Sequence, residues 1–359
     1  MDEETFRQKR QYAGERKASM LRRSISNDYR ARNIYLITLV TANRTPWFGR
    51  VAGSTKVPKG SPEYPHIDLS PLGEAVRDEW LGIPKYYPQI QILKLQMMPD
   101  HLHGIIFVKE RLPLHLGKVI SGFKAGCNRL FRSIVLHETP EGTPARVPYA
   151  FAEQKPAHTM LSPAPSQQRP PTRTSLLWET GYNDRILHRK GQLQRWYAYL
   201  NDNPYRLMLK RENRDLFRVH FNLRFGPYTF SAIGNRFLLQ YLQKQQLQCS
   251  RNLTEEGIEA KRAEYLSEAL TDTVTVSPAI SKGEKAIMRS LMEAGARLIL
   301  LQENGFTYLS KPSGSQLMEA CAAGRLLILS PWEHHNIKQT IRRSQCLALN
   351  EMAKYIAEN

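Results

Sequence analysis

Two strand-like runs separated only by Pro99-Asp100 constrain this chain more than any other feature. Ile90 to Met97 carries Ile90, Ile92, Leu93 and Leu95 in near alternation, and HLHGIIFV follows the break. A period of two sends successive side chains to opposite faces of a sheet. A third run, NIYLITLVTA at 33–42, is β-branched and apolar and predicts a buried strand. Helix signals lie between and after these runs. Ser70-Pro71 supplies an N-cap and a first-turn proline. Leu72, Val76, Trp80 and Ile83 then fall on one helical face. LGKVISGFKAGCNRLFRSI, after the third strand, predicts a basic helix. The first half is therefore an α/β structure with helices set against a sheet.

The rest of the chain divides by composition. Residues 1–32 are polar and basic and predict a flexible or helical arm. Residues 137–174 are rich in Pro, Ser and Thr, cannot support a core, and predict an insertion. Order resumes at SLLWETGYNDRILHR, and a helix from about Lys190 to Asn203 is expected to stop at Pro204. From 229 onward, strand, helix, Gly and strand alternate, as in VTVSPAISKGEKAIMRSLMEAGARLILLQENG. That alternation predicts a small Rossmann-like parallel domain with right-handed crossovers. Three regions result: an arm at 1–32, an α/β domain at 33–228 and a second α/β domain at 229–359.

Composition narrows the function classes. Mean hydropathy is −0.48, and no apolar run approaches the roughly 20 residues of a membrane span. No apolar stretch near the N-terminus marks a secretory signal, so a cytoplasmic, nucleoid-associated protein is expected. Cys127, Cys249, Cys321 and Cys346 stand far apart, which excludes a disulfide scaffold and a Cys-x-x-Cys zinc site. The net charge is +18, and it is unevenly placed. Residues 1–230 hold 36 basic and 20 acidic side chains, whereas 231–359 hold 15 and 13. A basic unit followed by a nearly neutral one suits a polyanion-binding domain joined to something else. The alternative is a solvated basic surface kept for solubility.

The chemistry concentrates in two short motifs. In MMPDHLHGIIFV, His101 and His103 are two apart on a strand and share a face, while Leu102 points to the core. Paired imidazoles are half of a metal site. Ten histidines in 359 residues give about 0.3 such pairs by chance, so the pair alone is weak. In RWYAYLNDNP, Tyr199 and Asn203 are four apart and lie one helical turn from each other. With sixteen tyrosines in the chain, packing and a plain Asn-Pro helix stop explain that spacing equally well.

Taken together, these blocks resemble the single-tyrosine HUH (His-hydrophobic-His) transposases, and most closely the REP-associated tyrosine transposases. The resemblance covers about residues 33–225. It runs in order through YLITLVTANRTPWFG, MMPDHLHGIIFV, LGKVISGFKAGCNRLFR, LWETGYNDRIL and YLNDNP. The 137–174 insertion is longer than the family pattern. The resemblance implies a ferredoxin-like HUH domain whose catalytic nucleophile is Tyr199. It implies that His101, His103 and Asn203 hold a divalent Mg²⁺ or Mn²⁺. The partner it implies is single-stranded or hairpin DNA, cut to leave a 5′-phosphotyrosine and a free 3′-OH. A tyrosine hydroxyl, with a pKa of about 10, is a poor nucleophile at neutral pH without such help. A catalytically silent DNA- or RNA-binding protein and a nuclease using metal-bound water are the alternatives. One tyrosine per chain permits one covalent link at a time, so a homodimer and a monomer both stay open.

Tyr197 is the rival nucleophile, but it faces about 200° away from Tyr199 on a helix and is six residues from Asn203. Lys118, Lys124, Arg129 and Arg132 on the basic helix, with Arg44 and Arg50, are candidates for phosphate contacts. Trp178 and Trp196 could stack on bases or pack in the core. The second domain resembles the Rossmann-like domain of DNA-processing protein A. Ser250-Arg251, Ser277, Lys311 to Gly314 and Arg342-Arg343 are its candidate groups for a phosphate or a nucleotide, Arg251 lying outside the residues described below. His334-His335 reads as a loop pair.

Overall fold

The computed structural model describes residues 27–138, 177–250, 252–269, 271, 273–336 and 339–359. The chain divides into two compact units, Met1–Tyr205 and Arg206–Asn359. The first contains β1 (Asn33–Val40), β2 (Gly49–Ala52), β3 (His66–Leu69), α1 (Pro71–Leu81) and α2 (Ile83–Tyr86). It continues with β4 (Ile90–Met98), β5 (His101–Val108), α3 (Leu116–Ile134), β6 (Asn183–Ile186) and α4 (Gln192–Asn201). α5 (Asn203–Glu212) begins within it.

Four strands form a sheet in the order β4-β5-β1-β6, and every neighbouring pair is antiparallel. The chain passes from β1 through α1 to β4, and from β5 through α3 to β6, skipping one strand each time. The strand period sorts the two faces. Tyr35, Ile37 and Leu39 of β1 join Leu102, Ile106 and Val108 of β5 against Val76 and Trp80 of α1 and Val119, Ile120 and Phe123 of α3. On the opposite face, Ile34 and Leu36 of β1 and Ile105 of β5 meet Leu193, Trp196, Tyr197, Tyr199 and Leu200 of α4. The α1 start is as the sequence predicts, with the Ser70 hydroxyl accepting from the Gly73 amide at 3.0 Å. Gly104 admits the indole of Trp80 against the strand, since a Cβ there would meet the ring at 2.0 Å.

The second unit contains α6 (Arg214–Phe217), β7 (His220–Phe225), β8 (Tyr228–Gly234), β9 (Lys244–Gln246), α7 (Glu255–Ala269) and β10 (Val274–Ser277). α8 (Lys282–Glu293), β11 (Arg297–Leu301), α9 (Ser315–Ala322), β12 (Leu326–Ser330) and α10 (Arg343–Glu358) complete it. Its six-stranded sheet has the order β7-β8-β12-β11-β10-β9. β9 to β12 are parallel, and β8 joins β12 antiparallel. A Ser281–Glu284 capping box opens α8. Leu349, Ala353 and Ile356 of α10 pack on Val274, Val276, Ile299 and Leu327.

Several expectations change. The arm at 1–32 lies outside the described residues up to 26; from there it packs, with Tyr29 buried and its hydroxyl donating to Asp184 at 2.7 Å. The insertion lies outside them from residue 139 on. The units divide at 205/206, not 228, because the β7–β8 hairpin pairs with β12. The second sheet is mixed and not wholly parallel, and its parallel strands advance in one direction without a reversal of order. Pro204 does not end a helix but sits in the first turn of α5, where a missing amide hydrogen costs no helical bond. Among the described residues no helix is long and apolar enough to cross a membrane.

Candidate active site

β5 carries His101 and His103 onto the α4 side of the sheet, and buried Leu102 points to the other. Their rings meet edge to face with centroids 4.9 Å apart. Each ring is held by its Nδ1. That of His101 lies 2.6 Å from Asp100 Oδ1, and that of His103 lies 2.8 Å from Thr38 Oγ1. Thr38 is the β1 residue directly across from His103 in the antiparallel register. Engaging Nδ1 fixes the ring orientation, which is the kind of support that metal-binding histidines use.

Asp100 is half-buried and also meets Arg44, 3.3 Å away. Burial pushes its carboxyl upward, but the His101 hydrogen bond and the charges of His101 and Arg44 outweigh it and hold the group below the ordinary carboxylate range. Sequence reasoning passed over Asp100 and Thr38. Asp100 stands inside the PDHLH block, whereas Thr38 becomes visible only once the β1–β5 register is known.

α4 brings Tyr199 to the same face. Its ring stands edge-on to His103 at 6.4 Å and to Trp196 at 5.2 Å. Tyr197 is turned away to different work. β4 has an irregularity between Ile92 and Lys94, and the Tyr197 hydroxyl donates to the carbonyl of Leu93 at 2.8 Å. A bulge leaves such a backbone group outside the ladder, and Tyr197 satisfies it. Asn203 is buried, one turn after Tyr199. Asp202 between them keeps a right-handed helical conformation, so the two stay in helical register across the α4–α5 junction. The β2–β3 connection grips that junction through Lys59–Asp202 at 2.9 Å and a Tyr64–Tyr205 stack at 5.5 Å.

The remaining candidates are dispersed. α3 packs on the sheet face opposite the histidines, so Lys118, Lys124, Arg129 and Arg132 stand away from Tyr199. Lys118 and Arg129 are exposed, and Arg132 pairs with Glu138 at 3.7 Å. Lys124 donates to the carbonyls of Glu179 at 2.7 Å and Gly181 at 3.0 Å, which pins the WETG turn. Burial lowers its ammonium pKa to about 8, against the raising charges of Glu179 and Cys127. Arg50 is exposed beside Asp68. Trp178 is a core residue at 1% exposure, whereas Trp196 stays half-buried under the Arg185 guanidinium at 5.3 Å. Among the described residues no three His, Cys, Asp or Glu side chains gather as a metal cluster.

No known family model matches the chain. A stretch of 177 residues is 25% identical to an uncharacterized protein of Haemophilus influenzae, over 49% of this chain and 83% of that one. The chain is also similar to the crystal structure of a candidate transposase from Deinococcus radiodurans, at 13% identity and a TM-score of 0.26, covering 50% of this chain and 97% of that one.

Proposed function

We propose that this chain is a metal-dependent endonuclease and strand-transferase of single-stranded DNA with Tyr199 as its nucleophile. One observation carries the reading: two histidines, each held by Nδ1, share the sheet face that the Tyr199 ring covers. The strand order β4-β5-β1-β6 with two strand-skipping crossovers supports reading the first unit as ferredoxin-like, as the HUH resemblance implies. His101, His103 and Asn203 would hold one Mg²⁺ or Mn²⁺. Neutral imidazoles and an amide leave that ion its full charge, and when bound it supplies polarisation of a nonbridging phosphate oxygen and of the leaving 3′-oxygen.

The protein groups do the rest. The Tyr199 Oη attacks phosphorus, and the Tyr–O–P bond forms as the P–O3′ bond breaks. The phenolic proton passes to solvent, and the leaving 3′-oxygen takes one up to become a 3′-OH. The 5′-phosphate stays on Tyr199, so attack by another 3′-OH rejoins a strand without ATP. Trp196 and His103 flank the phenol edge-on and limit its rotamers, which orients the attack. The substrate class follows: an unpaired or hairpin-flanking phosphate that can reach a tyrosine on a helix.

The test is a denaturing gel with labelled hairpin DNA and Mn²⁺ or Mg²⁺. A metal-dependent covalent adduct is expected for the wild type and for Tyr197→Phe, and none for Tyr199→Phe or His101→Ala. Cleavage without adduct that survives Tyr199→Phe would overturn the tyrosine mechanism in favour of hydrolysis by metal-bound water. DNA binding with neither cleavage nor adduct would mark a silent binding protein.

A further inference from the structure

The second unit holds a cavity of about 400 Å³ that the Tyr199 chemistry does not use. That volume lies within the range of small-molecule sites. Phe221, Phe230, Phe306 and Trp332 supply aromatic walls. Asn222 and Glu333 supply polar groups beside them, and neither lysine nor arginine lines it. We propose that this cavity binds a nucleobase, stacked on Trp332 and Phe221, with a ring N–H and the adjacent amino group donating to the Glu333 carboxylate.

Three features carry this. First, β7 departs from regular pairing between His220 and Leu223, and Asn222 adopts a left-handed φ of 59°. Such irregularities re-aim side chains, and here both residues of the step, Phe221 and Asn222, line the cavity. The half-exposed Phe221 ring also meets the exposed Tyr308 ring edge-on at 4.8 Å. Second, the Trp332 wall is fixed by close backbone packing. A Cβ on Gly305 would meet the Trp332 carbonyl oxygen at 2.1 Å. His334 is committed to the same wall, with its ring nitrogens 3.2 Å from the Gly305 carbonyl and from Asn336 Oδ1. Third, the charge is wrong for an anion. Glu333 is exposed, and residues 231–359 carry only two more basic than acidic side chains. A carboxylate among rings suits a planar ligand rich in N–H donors, of which guanine is the nucleobase with adjacent donors.

The inference stands apart from the Tyr199 reading, so it is tested in full-length Tyr199→Phe protein, where no adduct chemistry intervenes. Guanosine, ribose 5-phosphate and arginine are titrated calorimetrically. Guanosine is expected to bind, and Trp332→Ala to weaken it about fivefold or more, as loss of a base–aromatic stack does. Glu333→Gln, on an exposed side chain that cannot unfold the protein, is expected to weaken it about tenfold. Affinity is expected to stay within about twofold between about 50 and 200 mM salt, since no phosphate is gripped. A guanine-containing single strand that displaces guanosine assigns the site to a strand, and one that does not assigns it to a free nucleoside. Failure of guanosine to bind, equal binding of ribose 5-phosphate, preference for arginine, or indifference to both substitutions would each overturn the proposal.

Discussion

Asp100 links the polar chemistry of the first unit, because one carboxylate meets both His101 and Arg44. If His101 is a ligand, losing that acceptor frees its ring to rotate and to change tautomer. Asp100→Ala is therefore expected to weaken Mn²⁺ binding by about 10- to 100-fold, the usual effect of removing such a partner. Mn²⁺ titration followed by electron paramagnetic resonance measures this directly, without DNA. Unchanged affinity in the variant would remove Asp100 from the site. Lys124 sets a different residue-scale test. Its ammonium titrates at about 8 in the fold against 10.5 for an unburied lysine. Between those values the unfolded chain binds more protons, so stability from this group rises with pH. It is fully present above about pH 10.5 and gone below about pH 8. Wild type is expected to gain resistance to urea between pH 8 and 10.5 relative to Lys124→Met, which has no such proton to lose. Parallel curves for the two proteins would show that Lys124 titrates as if solvated.

At the scale of elements, β5 has to serve both faces of its sheet, with the histidine pair on one and the core on the other. Gly104 allows this, since it lets Trp80 lie against the strand between His103 and Ile105. Gly104→Ala is expected to cost about 1–3 kcal/mol through overpacking. Urea unfolding read by tryptophan fluorescence reports it, because four of the five tryptophans lie before residue 206. A neutral result would mean that α1 can shift without loss. These elements were largely legible beforehand. The basic helix falls on Leu116–Ile134 as its sequence predicts, and the period of two alone puts His101 and His103 on one face. What escaped depends on pairing between distant segments. β7 hides its alternation at the irregular step through Phe221 and Asn222, and β8 finds its place only against β12, nearly a hundred residues later. Lys124 read as a phosphate contact because its two carbonyl partners lie more than fifty residues on. Pro204 read as a stop because local sequence does not distinguish the end of one helix from the first turn of the next.

At the scale of the molecule, charge and geometry give different answers about where a bound DNA strand would run. Nearly all of the net charge sits in residues 1–230, and α3 carries four basic and no acidic side chains, yet α3 lies across the sheet from Tyr199. A strand whose phosphate is attacked by Tyr199 has to run along the α4 face, where Arg44 stands beside Asp100 with its side chain 62% exposed. The salt dependence of binding separates the two surfaces. On single strands each neutralised phosphate adds about 0.7 to the slope of log affinity against log salt. Arg44→Gln is expected to lower that slope by about 0.7, whereas the pair Lys118→Gln and Arg129→Gln leaves it unchanged for a short strand. Filter binding from low to high salt measures both. If the α3 pair instead lowered the slope by about 1.4 and Arg44→Gln did nothing, the strand would follow the far face. Its phosphates would then be held a full sheet away from the tyrosine, and the basic surface would belong to a nucleic-acid-binding function separate from the histidine pair.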